Sequence, residues 1–97
     1  MSLNQPIASA VSTGECRIGA KSSIDALKKG DAKLVVVAAN CPKNEYDDIE
    51  RYAKLSEIKI HKFEGTSWDL GETVGKPFMV SAIAIIKPGD SKILKMV

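Results

Sequence analysis

The sequence predicts an α/β fold, a three-layer α/β/α sandwich. Three observations carry that expectation. Apolar spacing switches repeatedly between the helical and the extended period along the chain. One run, Leu34 to Ala39, is apolar at every position and rich in β-branched residues, as in a strand covered on both faces. A length of 97 residues suits one compact domain, residues 1–97, and is too short for two conventional ones.

The elements follow in order. Ile7, Ala8, Ala10 and Val11 make a short helical pattern that Thr13-Gly14 stops. Glu15 to Ile18 reads as a strand. From Gly19 the period changes: Ala20, Ile24 and Leu27 share a helix face, Ser22 and Ser23 lie near its start, and Gly30 suits its C-terminal cap. Asn40-Cys41-Pro42 breaks the strand that ends at Ala39. Tyr46, Ile49 and Ala53 share the next helix face, with acidic residues early and Lys54 late, as the macrodipole favours. Ile58 to Phe63 alternates and is partly charged, which suits a sheet edge. Thr66 and Asp69 stand at capping-box spacing, and the short helix they open ends by Gly75 because Lys76-Pro77 forbids continuation. Val80 to Ile86 is a further apolar strand, Pro88-Gly89-Asp90 a turn, and the tail from Ser91 a last helical turn. Right-handed crossovers make the first three strands parallel; pattern alone leaves the direction of the last one open.

Composition removes whole classes of function. A 44% hydrophobic content excludes wholesale disorder, and no stretch approaches the roughly 20 apolar residues that cross a bilayer. No secretory signal is read at the start, so a cytoplasmic domain is expected, without membrane partners. A net charge of +2 is too mild to announce a nucleic-acid binder by itself. Cys16 and Cys41 fit neither a metal knuckle nor a redox pair and read as reduced, half-buried small residues. His61 stands alone, so no metal is expected. Gly71 to Lys76 fails as a phosphate loop: it has three residues between its glycines rather than four, and Pro77 occupies the magnesium-binding Ser/Thr position. Those glycines read as helix caps. With no nucleophile elbow, and Asp47, Asp48 and Glu50 on a solvated helix face, neither an enzyme nor a small-molecule substrate is expected.

Three segments carry sharper chemistry. Gly19-Ala20-Lys21-Ser22-Ser23 lies at a strand-to-helix junction, where free backbone N–H groups and the helix dipole favour an anion. Lys21 adds a charge and Ser22 a hydroxyl; an ordinary capped helix is the plainer alternative. Asn40 follows the buried strand, at the kind of sheet edge where ligands gather, and its amide can read a base edge. The alternative is an Asx-type turn before Pro42. In Lys76-Pro77-Phe78-Met79-Val80, Phe78 is either a stacking platform or a ring that closes the core. Together an anion cradle, a base-reading amide and an apolar loop are what a bent RNA with extruded bases requires.

These residues resemble those of a known family. Thr13-Gly14 with Gly19-Ala20-Lys21-Ser22, and Lys33 through Asn40, are similar to the archaeal and eukaryotic large-subunit ribosomal proteins of the L30e family. So are Tyr52-Ala53-Lys54-Leu55-Ser56, Phe63-Glu64-Gly65-Thr66-Ser67, Leu70-Gly71, Gly75-Lys76-Pro77-Phe78 and Pro88-Gly89-Asp90-Ser91. That family lies within the wider L7Ae group of kink-turn RNA binders. The resemblance implies a mixed four-stranded sheet with the last strand antiparallel, no cofactor, and an RNA site at one sheet edge. There Gly19, Lys21 and Ser22 would meet the kink, Asn40 a base edge, and Lys76, Phe78, Met79 and Val80 an extruded base. It further implies a monomer when isolated, and ribosomal RNA and neighbouring large-subunit proteins as partners in the cytoplasmic ribosome. Met79 departs from the Phe-Arg-Val pattern of eukaryotic relatives, and Glu45 stands where relatives can be basic. The other readings are a kink-turn core protein of a different ribonucleoprotein, or the RNA-binding domain of an RNA-modifying enzyme. The enzyme would need a cofactor domain, which 97 residues are not expected to hold.

Overall fold

Alternation along two inner strands builds both halves of the core. The structure, a computed structural model, describes residues 4–89, 91 and 93–96. Its elements are α1 (Asn4–Thr13), β1 (Glu15–Ile18), α2 (Ala20–Lys29), β2 (Leu34–Val37), α3 (Lys43–Leu55), β3 (Lys59–Lys62), α4 (Ser67–Thr73), β4 (Ala82–Lys87) and α5 (Ile93–Met96). Successive side chains of a strand point to opposite faces. Leu34 and Val36 of β2, with Ile83 and Ile85 of β4, therefore meet Ile7, Ala10, Leu70 and Ile93 in one cluster. Val35 and Val37, with Ala82 and Ala84, meet Ala26, Leu27, Ile49 and Ala53 in the other. Helices α1, α4 and α5 cover the first face and α2 and α3 the second, which is the expected α/β/α sandwich. On the second face β4 presents the small side chains of Ala82 and Ala84, with Ile86 half-buried beyond them, and α2 packs over the alanines. The Ser56 hydroxyl donates to the Leu27 carbonyl at 3.2 Å and ties the end of α3 to α2.

The sheet runs in the order β1-β4-β2-β3. Strand β4 is antiparallel to both neighbours, and β2 and β3 are parallel, so the first three strands point one way. The mixed sheet and the edge position of β3 agree with the sequence reading. In register, Ile18 faces Ile83, and Val37 lies between Ala82 and Lys62. The carboxyl ends of β1, β2 and β3 and the amino end of β4 thus share one rim.

Several boundaries differ from expectation, each for a hydrogen-bonding reason. Strand β2 stops at Val37 because the Ala38 N–H turns to Ser81 and the Ala39 N–H to Gly65, at 2.8 and 2.9 Å. Strand β4 begins at Ala82 instead of Val80, since the Val80 N–H donates to the Ser67 carbonyl at 2.9 Å. Gly71 is no cap. It lies inside α4, and a Cβ there would come within 2.1 Å of the Phe78 carbonyl oxygen. The capping box is present: Thr66 accepts from the Asp69 N–H, and the Asp69 carboxylate accepts from the Thr66 N–H at 3.0 Å. Asp90, in the expected turn after Pro88, lies outside the described residues, as does Lys92 of the tail.

Cys16 and Cys41 are free and half-buried. Burial pushes the Cys16 thiol up to about 11, and burial followed by the nearby charge of Glu45 raises that of Cys41. At neutral pH both are protonated and therefore poor nucleophiles. The close approach at Gly71 gives the fold its test. Gly71→Ala should destabilise the protein by about 1–3 kcal/mol through overpacking. The denaturation midpoint checks this, and an unchanged midpoint would show that the Phe78 segment yields freely.

Candidate nucleic-acid interface

The rim is assembled from three backbone departures. Where β1 ends, the Gly19 N–H donates to the Ala82 carbonyl at 2.7 Å, and the Gly19 carbonyl accepts the Ser23 N–H at 2.9 Å to open α2. Gly19 has φ 106° and ψ 155°, a conformation open in practice to glycine alone. Nothing lies within 4 Å of where its Cβ would stand, so glycine is required by the backbone and the surface beside it is open. Gly19, the residue at the N-cap of α2, has no side chain with which to cap it, and no other side chain does so among the described residues. The first-turn amides therefore point out at the rim at the positive end of the helix dipole. Lys21 is exposed there and Ser22 half-buried.

Asn40 does not close the local Asx-type turn weighed for it. Its Oδ1 accepts the N–H of Ser67, the first residue of α4, at 2.6 Å. That bond spans 27 residues and is no local turn. A backbone N–H can be met only by oxygen, so the amide is fixed with its Nδ2 as the remaining donor. Asn40 is otherwise exposed. Its side chain thus offers two N–H donors from a group that cannot flip without losing the Ser67 bond.

The third departure is the segment between α4 and β4. The Lys76 N–H returns to the Gly71 carbonyl at 2.9 Å, and the Val80 N–H to that of Ser67 at the same length. Between these anchors Lys76, Phe78 and Met79 stand out, with Phe78 52% and Met79 60% exposed. Phe78 is therefore not a core ring. Val80 is the exception among the expected contacts. Its side chain is 1% exposed within the core, so it anchors the loop and offers no surface to a base.

Gly19, Asn40 and the Phe78 segment thus meet on one rim, linked through Ala82, Ser67 and Val80. Gly19 and Asn40 are not immediate neighbours, because β4 runs between the strands that precede them. Beyond Asn40, Lys43 and Lys62 border a hollow of about 230 Å³ with Cys41 and Tyr46, and the Lys62 ammonium lies 5.2 Å from the Tyr46 ring centre. Lys28, Lys29 and Lys33 lie toward the opposite end of the sheet, where Lys28 and Arg51 each approach the Tyr52 ring at 5.0 Å.

Sequence reasoning missed Trp68. It is 59% exposed and lines a groove of about 560 Å³ with Glu72, Gly75, Lys76, Pro77 and Phe78. The signal was present. The capping box fixes the phase of α4, and with Ser67, Leu70 and Gly71 turned inward the indole must face out.

The Asn40 bond can be separated from any contact with a ligand. Asn40→Ala should lose about 0.5–2 kcal/mol of stability by orphaning the Ser67 N–H. Asn40→Asp keeps the acceptor and should melt close to the parent. Equal melting temperatures for parent and alanine variant would show that the bond contributes nothing.

The family model for the ribosomal protein L7Ae/L30e/S12e/Gadd45 family matches residues 1–95. The large ribosomal subunit protein eL30 of Methanothermobacter thermautotrophicus is 52% identical over 97 residues, covering 100% of this chain and 99% of the relative. Its counterpart from Methanosphaera stadtmanae is 46% identical over 96 residues, 99% of this chain and 98% of the relative. That of Methanobrevibacter smithii is 45% identical over 94 residues, 97% and 95% of the two chains. With a family match over residues 1–95 and full-length similarity to these relatives, the chain belongs to the ribosomal protein L7Ae/L30e/S12e/Gadd45 family.

Proposed function

We propose that this protein is a structural constituent of the large ribosomal subunit that binds ribosomal RNA and recognises a kink-turn. The relatives reported above are named as large-subunit proteins and not as enzymes. One observation supports the finer reading above all: the uncapped α2 start, the fixed Asn40 amide and the exposed Phe78 segment converge on one rim. A kink-turn needs such a combination. Its sharply bent backbone brings phosphates together, and its bulged bases leave the stack.

The mechanism is preorganisation. Free amides at α2, with Lys21 and Ser22, receive the backbone at the bend. The Asn40 Nδ2 donates to a base edge, while Lys76 supplies charge and Phe78 and Met79 cover an extruded base. Binding shifts RNA from its straighter ensemble to the bent state in proportion to the difference in contacts. Bond chemistry plays no part. The same proposal includes a monomeric chain in isolation, neighbouring large-subunit proteins as partners, and residence on the cytoplasmic ribosome.

A gel-shift comparison of a kink-turn RNA with a straight duplex of matched composition tests the reading. Clear preference for the kink-turn is expected, and equal affinities would overturn it. Asn40→Asp should weaken kink-turn binding by about 1–3 kcal/mol while folding stays intact; full affinity would remove the amide from the site. Lys21→Ala should flatten the salt dependence of binding by about one phosphate contact. Parallel slopes for variant and parent would show that Lys21 never meets a phosphate.

A further inference from the structure

We propose that Trp68 and Phe78 form a two-walled slot that takes one unpaired nucleobase of the bound RNA. The proposal rests on the kink-turn reading and adds to it a contact residue, Trp68, and a preference among bases. Two large rings stand in water here, Trp68 at 59% and Phe78 at 52% exposure, beside Pro77 and the exposed Met79. A contiguous apolar surface of this kind marks an interaction site. The rings come from separate segments, yet both are held. Trp68 follows Ser67, whose N–H is bound by Asn40 and whose carbonyl accepts the Val80 N–H, two residues beyond Phe78. The groove between them, about 560 Å³, has the size of a small-molecule site.

Its polar lining selects the occupant. Glu72 is the groove's carboxylate and Lys76 its cation. A phosphate inside the groove would face Glu72 at a cost, whereas the exocyclic amine of a base would find there an acceptor. Lys76 is left for the phosphate that flanks the base. The slot therefore suits adenine, cytosine or guanine, which carry such an amine, over uracil, which does not. Continuity with Asn40 through Ser67 favours RNA over a protein neighbour, since a base in the slot and a base edge at Nδ2 can belong to one strand.

Trp68 is the chain's single tryptophan, so its emission reports on this slot alone. The full chain is titrated with a kink-turn RNA and with versions in which each bulge nucleotide in turn is abasic or uracil, while gel shift measures affinity independently. Quenched indole emission is expected on binding. One abasic position should abolish the quench and weaken binding about 5- to 100-fold, and uracil at that position should weaken it less. Trp68→Ala should lose a similar factor, and Trp68→Phe should recover most of it. Tight kink-turn binding with unchanged emission and full affinity of Trp68→Ala would overturn the slot, assign the patch to a protein neighbour, and leave the proposed function standing. Uracil bound as tightly as adenine or cytosine would overturn the role of Glu72. Absence of any preference for the kink-turn over the duplex would remove both proposals together.

Discussion

The antiparallel insertion of β4 between β1 and β2 is the constraint on which the rest of the molecule depends. Its ladder binds both neighbours, aligning Ile18 with Ile83 and Val37 with Ala82. Were β4 parallel, its amino end and the segment before it would emerge at the far side of the sheet. Reversal brings that segment to the carboxyl ends of the other three strands. Each strand then delivers one feature to a common rim: β1 the start of α2, β2 the Asn40 amide, β3 Lys62, and β4 the loop that precedes it. The ligand edge of an open α/β sheet is thereby reinforced by a strand running against the rest.

Rigidity at the rim comes from backbone groups more than from side-chain packing. Ser67 has a partner on each side: its N–H meets Asn40 and its carbonyl meets Val80. Thr66 and Asp69 close the same helix start by a reciprocal pair of bonds. Gly71 admits the Phe78 carbonyl to a distance that no other residue would allow. Short helix α4 thus acts as a clamp, with little freedom left for the exposed residues on either flank. Conformational freedom already given up in the free protein need not be lost again on association, which is the advantage of preorganisation.

Much of this was legible from residues alone. The nine elements of the described residues were expected in the right order: periodicity is unambiguous in α2, α3 and the buried β2, and capping and turn residues marked the short helices. The Thr66–Asp69 spacing announced its capping box. Strand order and the direction of β4 were not legible, since Val80 to Ile86 has the same pattern in either sense; only the family resemblance supplied the direction. Boundaries slipped where long-range bonds took over from local preference, as at Ala38, Ala39 and Val80. Among site residues, Gly19, Lys21 and Asn40 could be placed at one rim because each follows a strand, whereas Lys76, Phe78 and Met79 joined them only through the resemblance, which set the direction of β4. Burial of Val80 could not be separated from exposure of Phe78 within one apolar segment. Nor could the partner of Asn40 be found, for Ser67 lies 27 residues away. Trp68 passed unnoticed as a helix residue, although the phase of α4 already turned it outward.

The bare start of α2 has a consequence for how the free protein and its complex are related. Serine, threonine, asparagine and aspartate at a helix start answer its first amides with their side chains, and Gly19 has none to offer. Water holds those donors until an anion arrives. On the proposed reading, a phosphodiester of the RNA would complete the helix in the way an intrinsic cap would. Under that proposal the last step in satisfying a core helix would belong to assembly and not to folding.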